Sequence, residues 1–127
     1  MSFPFDASRG LILVQAEIVG PTSSAIVSLA LDTGATGTLI NASRLQQIGF
    51  DPATASDRAR ITTGSGVESV PRLAVHSVTA LGQTRDSFPV LCHTLPPSAS
   101  VDGLLGLDFL RGQVLTVDFI EGLLSLR

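Results

Sequence analysis

The hexapeptide Leu31-Asp32-Thr33-Gly34-Ala35-Thr36 places a carboxylate directly after an apolar run, Ala25-Ile26-Val27-Ser28-Leu29-Ala30. That approach makes Asp32 the acid the sequence predicts to be most buried. An ionised carboxylate withdrawn from water is costly unless it is paired, hydrogen-bonded or kept protonated. Asp-Thr-Gly is therefore one of two things. It is a turn, in which Asp bonds its own nearby backbone and Gly tolerates a left-handed conformation. Otherwise it is a position where an acid is retained for chemistry, and the chemistry within a carboxyl's reach is acid-base catalysis.

Other reactive side chains make weaker constellations. Cys92 and His93 are adjacent, and a strand sends adjacent side chains to opposite faces, so they form no thiol-imidazole dyad. Two His and one Cys are a poor zinc set, and His76 reads as a core or rim residue. Gly64-Ser65-Gly66 begins like a dinucleotide fingerprint, but Ser69 stands at the third glycine's place and no helix pattern follows. It reads instead as a hairpin tip, with a mobile flap as its functional version. All eight basic residues are Arg, which removes Schiff-base chemistry and the P-loop lysine. A phosphorylated Asp32 likewise lacks the Lys and second acid such sites use.

The elements that would position Asp32 are short strands divided by turn residues. Leu11 to Val19 breaks at Gly20-Pro21 and reads as a strand buried largely on both sides. Ala25 to Leu31 completes a hairpin with it. Thr38-Leu39-Ile40 is a short strand, and Asn41 stands at the N-cap of a helix over 42–48 that Gly49 ends. Arg58 to Thr63 and Val67 to Val70 form a hairpin around Gly64-Ser65-Gly66, followed by a separate strand from Arg72 to Ala80. Ser87 to Cys92 is another strand, in which Pro89 predicts an edge or bulge. Pro96-Pro97 opens a loop. Val101 to Leu110 is a strand running into a short helix near Gly112, and Val114 to Phe119 pairs with Leu123 to Leu126 around Glu121-Gly122. Strands at this spacing indicate an all-β barrel or sandwich.

Composition restricts the partners. The 127 residues fit one domain of common size. With 44% apolar and 15% charged residues, the chain is expected to be globular with little disorder. A formal charge of -3 gives no reason to bind a phosphate backbone, so nucleic acid is not expected as a partner. Cys92 alone makes no intrachain disulfide, which is compatible with a cytoplasmic location. The N-terminus lacks a signal-like segment and no apolar run reaches about 20 residues, so no membrane contact is expected within the chain.

Leu31-Asp32-Thr33-Gly34-Ala35-Thr36 resembles the active-site signature of aspartic proteases. Gly103-Leu104-Leu105-Gly106-Leu107-Asp108-Phe109-Leu110, roughly 70 residues later, resembles the second hydrophobic-hydrophobic-Gly element of the retropepsin-like members. A glycine-tipped hairpin lies between them, and the three features in that order span Gly10 to Arg127. Thr36 and Leu107-Asp108 depart from the residues usual in retroviral members. The resemblance implies that residues 1–127 form a single retropepsin-like domain, a closed acid-protease barrel with one or two short helices. It implies an aspartic endopeptidase that acts on a peptide or protein substrate with no cofactor and no metal. Such enzymes use two carboxyls sharing one proton. Only one Asp-Thr-Gly is present, and Asp102-Gly103 and Asp108-Phe109 do not fit, so a homodimer pairing Asp32 with its counterpart is the economical expectation. On this reading Asp32 is catalytic, Thr33 and Gly34 support it, and Gly64, Ser65 and Gly66 close over substrate. Ile61, Val67 and Leu104 are candidate apolar subsites. The alternative is a noncatalytic dimeric β-barrel module of the same fold that binds peptides or oligomerises.

Overall fold

Apolar-polar alternation builds the first strands. A computed structural model describes residues 1–96 and 98–127, so that Pro97, half of the expected loop opening, lies outside the described residues. The chain runs through β1 (Phe3–Pro4), β2 (Leu13–Val19), β3 (Ser24–Leu31) and β4 (Leu39–Asn41) into α1 (Ala42–Gln47) and a 3-10 turn at Pro52–Thr54. It continues through β5 (Asp57–Thr63), β6 (Gly66–Ala80), β7 (Gln83–His93) and β8 (Gly103–Leu105) into α2 (Leu107–Leu110), and ends with β9 (Leu115–Asp118) and β10 (Leu123–Leu126). No helix is long and apolar enough to cross a membrane among the described residues.

Six strands close into a barrel in the order β2-β3-β8-β4-β7-β6, with β6 pairing back to β2 through Ala16↔Ala80 to Val19↔Ser77. The architecture is thus an all-β closed barrel with two short α-helices. Closure removes the exposed edges that a flat sheet would leave. β2 differs from its expected environment. Val14, Ala16 and Ile18 enter the core while Gln15 and Glu17 face solvent, the usual pattern of an antiparallel strand with one wet face. Val27 and Leu29 of β3 join them, and Ile40, Leu45, Val75, Val90, Leu105 and Phe109 complete the interior.

The strands expected on either side of Pro71 are one, the fifteen-residue β6. Pro71 is accommodated because the β7 ladder begins only at Arg72↔Leu91, so Pro71 has a single partner strand, through Arg58 of β5. The same reasoning covers Pro89, which pairs with Ala74 where β7 has not yet met β4. Two residues earlier Ser87 has φ +48, and its pair with His76 is missing from an otherwise regular register. Helix α1 starts and stops as its flanking residues predict, except that the Asn41 side chain makes no capping bond and Asn41 belongs to β4. β1 was not legible in the sequence. It pairs with β10, which also pairs with β9 in the expected terminal hairpin, making a three-stranded sheet.

Candidate active site

Asp32 leaves the end of β3 beside β8, and its backbone N–H donates to the Leu105 carbonyl at 3.0 Å. The chain then turns tightly. Gly34 N–H donates to Asp32 Oδ1 at 2.9 Å, and Ala35 N–H to the Asp32 carbonyl at 3.2 Å. The side chain thus closes the kind of Asx turn that the tripeptide favours, through one of its two oxygens. Asp32 is half-buried, with Thr33 and Gly34 exposed. The acid that the sequence predicts to be most buried is thus only half-buried, as are Asp102 and Asp108: β3 is apolar up to Leu31, but Asp32 stands in the turn beyond it.

What holds this turn in place comes from the far end of the sequence. β8 inserts between β3 and β4, parallel to the first and antiparallel to the second. Gly106 then crosses the Asp32 loop so closely that a Cβ on it would lie 2.7 Å from the Gly37 carbonyl carbon and 2.9 Å from the Ala35 oxygen. No side chain fits there. The Leu107 N–H donates to the Ala35 carbonyl at 2.9 Å. Thr38, fully buried, donates its Oγ1 to Asp108 Oδ1 at 2.7 Å and its N–H to Asp108 Oδ2 at 3.0 Å, and accepts the Gly106 N–H at 3.1 Å. Asp108 Oδ1 also accepts the Phe109 N–H at 2.9 Å. Phe109 is clamped in turn. It packs edge-on to Phe88 at 5.9 Å and lies under the Arg85 guanidinium at 4.6 Å, and Arg85 Nη2 donates to its carbonyl at 3.1 Å.

Asp102 plays a similar part on the other side of β8. It accepts the Ser28 N–H at 2.8 Å and Arg44 Nε at 3.1 Å. Neither Asp102 nor Asp108 fits the Asp-Thr-Gly pattern, and sequence reasoning set both aside. Their function as struts depends on contacts with residues 70 and 74 positions away, for which the chain carries no local signal.

Beside the Asp32 turn, lined from Gly34 onward, lies a cleft of about 1070 Å³. One wall is the loop from Gly34 to Leu39, another is Ala59 to Thr63 of the β5–β6 hairpin, and the floor includes Leu91, Leu95, Val101 and Leu104. Ile61 and Leu104 line it as expected. Val67 does not, being 65% exposed on the hairpin. Leu91, Leu95 and Val101 were missed, because only barrel closure brings β7 and the segment before β8 to one place. Gly64 and Ser65 form the two-residue turn of the hairpin, closed by the Thr63↔Gly66 pair. A Cβ at Gly64 or Gly66 would meet nothing within 4 Å. The tip's side-chain bonds are internal, from Ser65 N–H to Thr63 Oγ1 at 3.3 Å and from Thr63 Oγ1 to the Gly66 carbonyl at 3.2 Å. The strand behind the tip lines the cleft, and the tip itself projects beyond it.

Cys92 and His93 separate as neighbours on a strand must. Cys92 is buried in the core, where loss of hydration pushes its thiol pKa up, and His93 faces the cleft. His76 is exposed at the barrel rim, edge-on to Phe50 at 6.2 Å.

The aspartyl protease family matches residues 14–109, from β2 through the Asp32 loop and the hairpin to α2. The solved structure of a retropepsin-like aspartic protease from Rickettsia conorii is similar in fold, with a TM-score of 0.73 at 19% identity over 99% of this chain and 88% of that one. No curated protein matches the sequence.

Proposed function

The chain belongs to the aspartyl protease family and has the retropepsin-like fold, and from that premise we propose that it is a homodimeric endopeptidase whose catalytic pair is Asp32 of one copy and Asp32 of the other. The observation that carries the reading is the setting of Asp32. It is a half-buried carboxyl on a turn whose continuation from Gly34 lines the cleft and is braced by Asp108, Thr38 and Gly106.

One Asp32 carboxylate, unprotonated, takes a proton from the attacking water as its oxygen adds to the scissile carbonyl. The other, protonated, gives its proton to the carbonyl oxygen. Collapse of the tetrahedral intermediate needs a proton on the leaving nitrogen, which the first carboxyl returns. The exposed Thr33 hydroxyl and Gly34 backbone stand at the surface where two such loops would meet. Substrate lies extended in the cleft, bonding by main chain along the hairpin wall, with apolar side chains against Ile61, Leu91 and Leu104.

The test is cleavage of a mixed peptide library from acidic to neutral pH, alongside sedimentation of the purified protein. Asp32→Asn should abolish cleavage while preserving fold and dimer, since Asn keeps the size and can still accept the Gly34 bond. Activity should follow a bell-shaped pH profile whose two apparent pKa values belong to the pair. Cleavage by Asp32→Asn at the wild-type rate would overturn the mechanism. A dimer that binds peptides and cuts none would favour the noncatalytic module.

A further inference from the structure

The β5–β6 hairpin leaves the barrel at a fork. β6 pairs with β7 in a constant register from Ala80↔Gln83 to Arg72↔Leu91. Continued by one more side-chain repeat, that register would set Val70 opposite His93, yet beyond Arg72 the two strands separate: β6 keeps only β5, and His93 pairs with Asn41 of β4. Across the gap, Glu68 Oε2 lies 3.9 Å from His93 Nε2. Glu68 shares its strand face with Val70 and Arg72 by alternation, and His93 lines the cleft.

The remaining side-chain polar contacts of the hairpin stay within it. Arg72 Nε and Nη2 bond Asp57 at 2.8 and 3.4 Å, and Arg58 bonds the Ser69 hydroxyl and carbonyl at 2.9 and 2.8 Å. These contacts join β5 to β6 and none of them reaches the barrel. Among the described residues, Glu68 and His93 make the one side-chain polar contact that links the hairpin beyond the fork to the barrel. Few competitors are near: Arg72 on the same face is committed to Asp57, Arg60 lies on the opposite strand face, and the Asp108 oxygens in the same cleft are taken by Thr38 and Phe109.

We propose that Glu68 and His93 form a tie that sets how far the hairpin stands off the cleft, which makes His93 a positioning residue for closure over a peptide. The tie is an ion pair when the imidazole carries a proton. At 3.9 Å and partly exposed it is weak, as a contact that must open and close on each turnover needs to be. The effect on substrate rests on the protease reading, whereas the effect on the hairpin of the free protein does not.

Amide hydrogen exchange of the free protein, followed from mildly acidic to neutral pH, separates the two. Glu68→Gln and His93→Gln should each speed exchange across Ile61 to Val67 by about threefold, with Leu29 and Val78 of the barrel unchanged. The double variant should do no more than either single one, and His93→Arg, which keeps a cation in place, should stay near wild type. In peptide cleavage the Gln variants should raise KM by about threefold and leave kcat within about twofold. Wild-type exchange in both Gln variants would overturn the proposal, as would additive effects or equal loosening of the barrel. If the wild type cleaves no peptide while hairpin exchange responds as described, the protease reading fails and the tie stands.

Discussion

The loop carrying Asp32 and the hairpin tip at Gly64 to Gly66 both depend on glycine, for opposite reasons. At the loop, glycine is where two backbones touch: Gly106 has no room for a Cβ because Gly37 and Ala35 occupy it. At the tip, Gly66 supplies a φ of +123 to a turn with nothing around it. The first region is over-determined by bonds from three directions, the second is held only by its own strands. On the proposed protease reading, catalysis needs a carboxyl whose position does not drift, while entry of a long substrate needs a cover that does. The two glycines show one residue type permitting both a close backbone contact and an open turn.

Removing Asp108 should break the contrast most severely. Asp108→Ala leaves the buried Thr38 hydroxyl and N–H, together with the Phe109 N–H, without their acceptor. A loss of about 4 kcal/mol in urea unfolding is expected. A loss below about 1 kcal/mol would mean that the loop does not depend on its strut.

Gly106→Ala attacks the same junction through sterics, since the added methyl meets backbone that cannot rotate away. It should cost about 3 kcal/mol. Gly64→Ala is the matching change at the tip, where the methyl enters open space and stability should stay within about 0.5 kcal/mol of wild type. Equal costs at the two positions would erase the distinction between them. Exchange of the Gly64 to Gly66 amides in the free protein should likewise be among the fastest in the chain; protection comparable to β3 would contradict the assignment of a mobile cover.

The smallest effect lies at the hairpin base. Arg72 beside Asp57 holds its carboxyl below the ordinary value of 3.8, chiefly through their hydrogen bond. A carboxyl lowered in the folded state contributes stability above its unfolded value, and that contribution is lost as pH falls through the lowered one. Asp57→Asn should therefore be slightly less stable than wild type near neutrality and indistinguishable from it once both carry an uncharged side chain in acid. Both side chains are exposed to solvent, so the difference should shrink further in high salt. A difference that persists undiminished in strong acid would show that Asp57 acts by something other than its charge.

Local patterning was sufficient for much of this architecture. The β2–β3 hairpin, the turn at Gly64-Ser65, and the stop at Gly49 were all readable, because each is decided within a few residues by strand-forming side chains, turn residues or a positive φ. Two local rules misled. Pro71 does not end a strand, because barrel closure had left that stretch with one partner only. Ile12 and Leu13 did not make β2 a strand buried on both faces, because Gln15 and Glu17 follow on the outer one.

The sequence by itself determined that this is a strand-rich chain with one Asp-Thr-Gly, one glycine-tipped hairpin and one later Leu-Leu-Gly, in the order an aspartyl protease carries them. Tertiary structure alone decided what those pieces do to one another. It slid β8 between β3 and β4, brought Asp108 to Thr38 across 70 residues, left Asp32 half-buried on the turn they brace, and set His93 across a fork from Glu68. The reason is one of range. Side-chain period and turn preference act between neighbours in the chain, whereas close approach, hydrogen-bond satisfaction and barrel closure act between segments that meet only when the fold is complete.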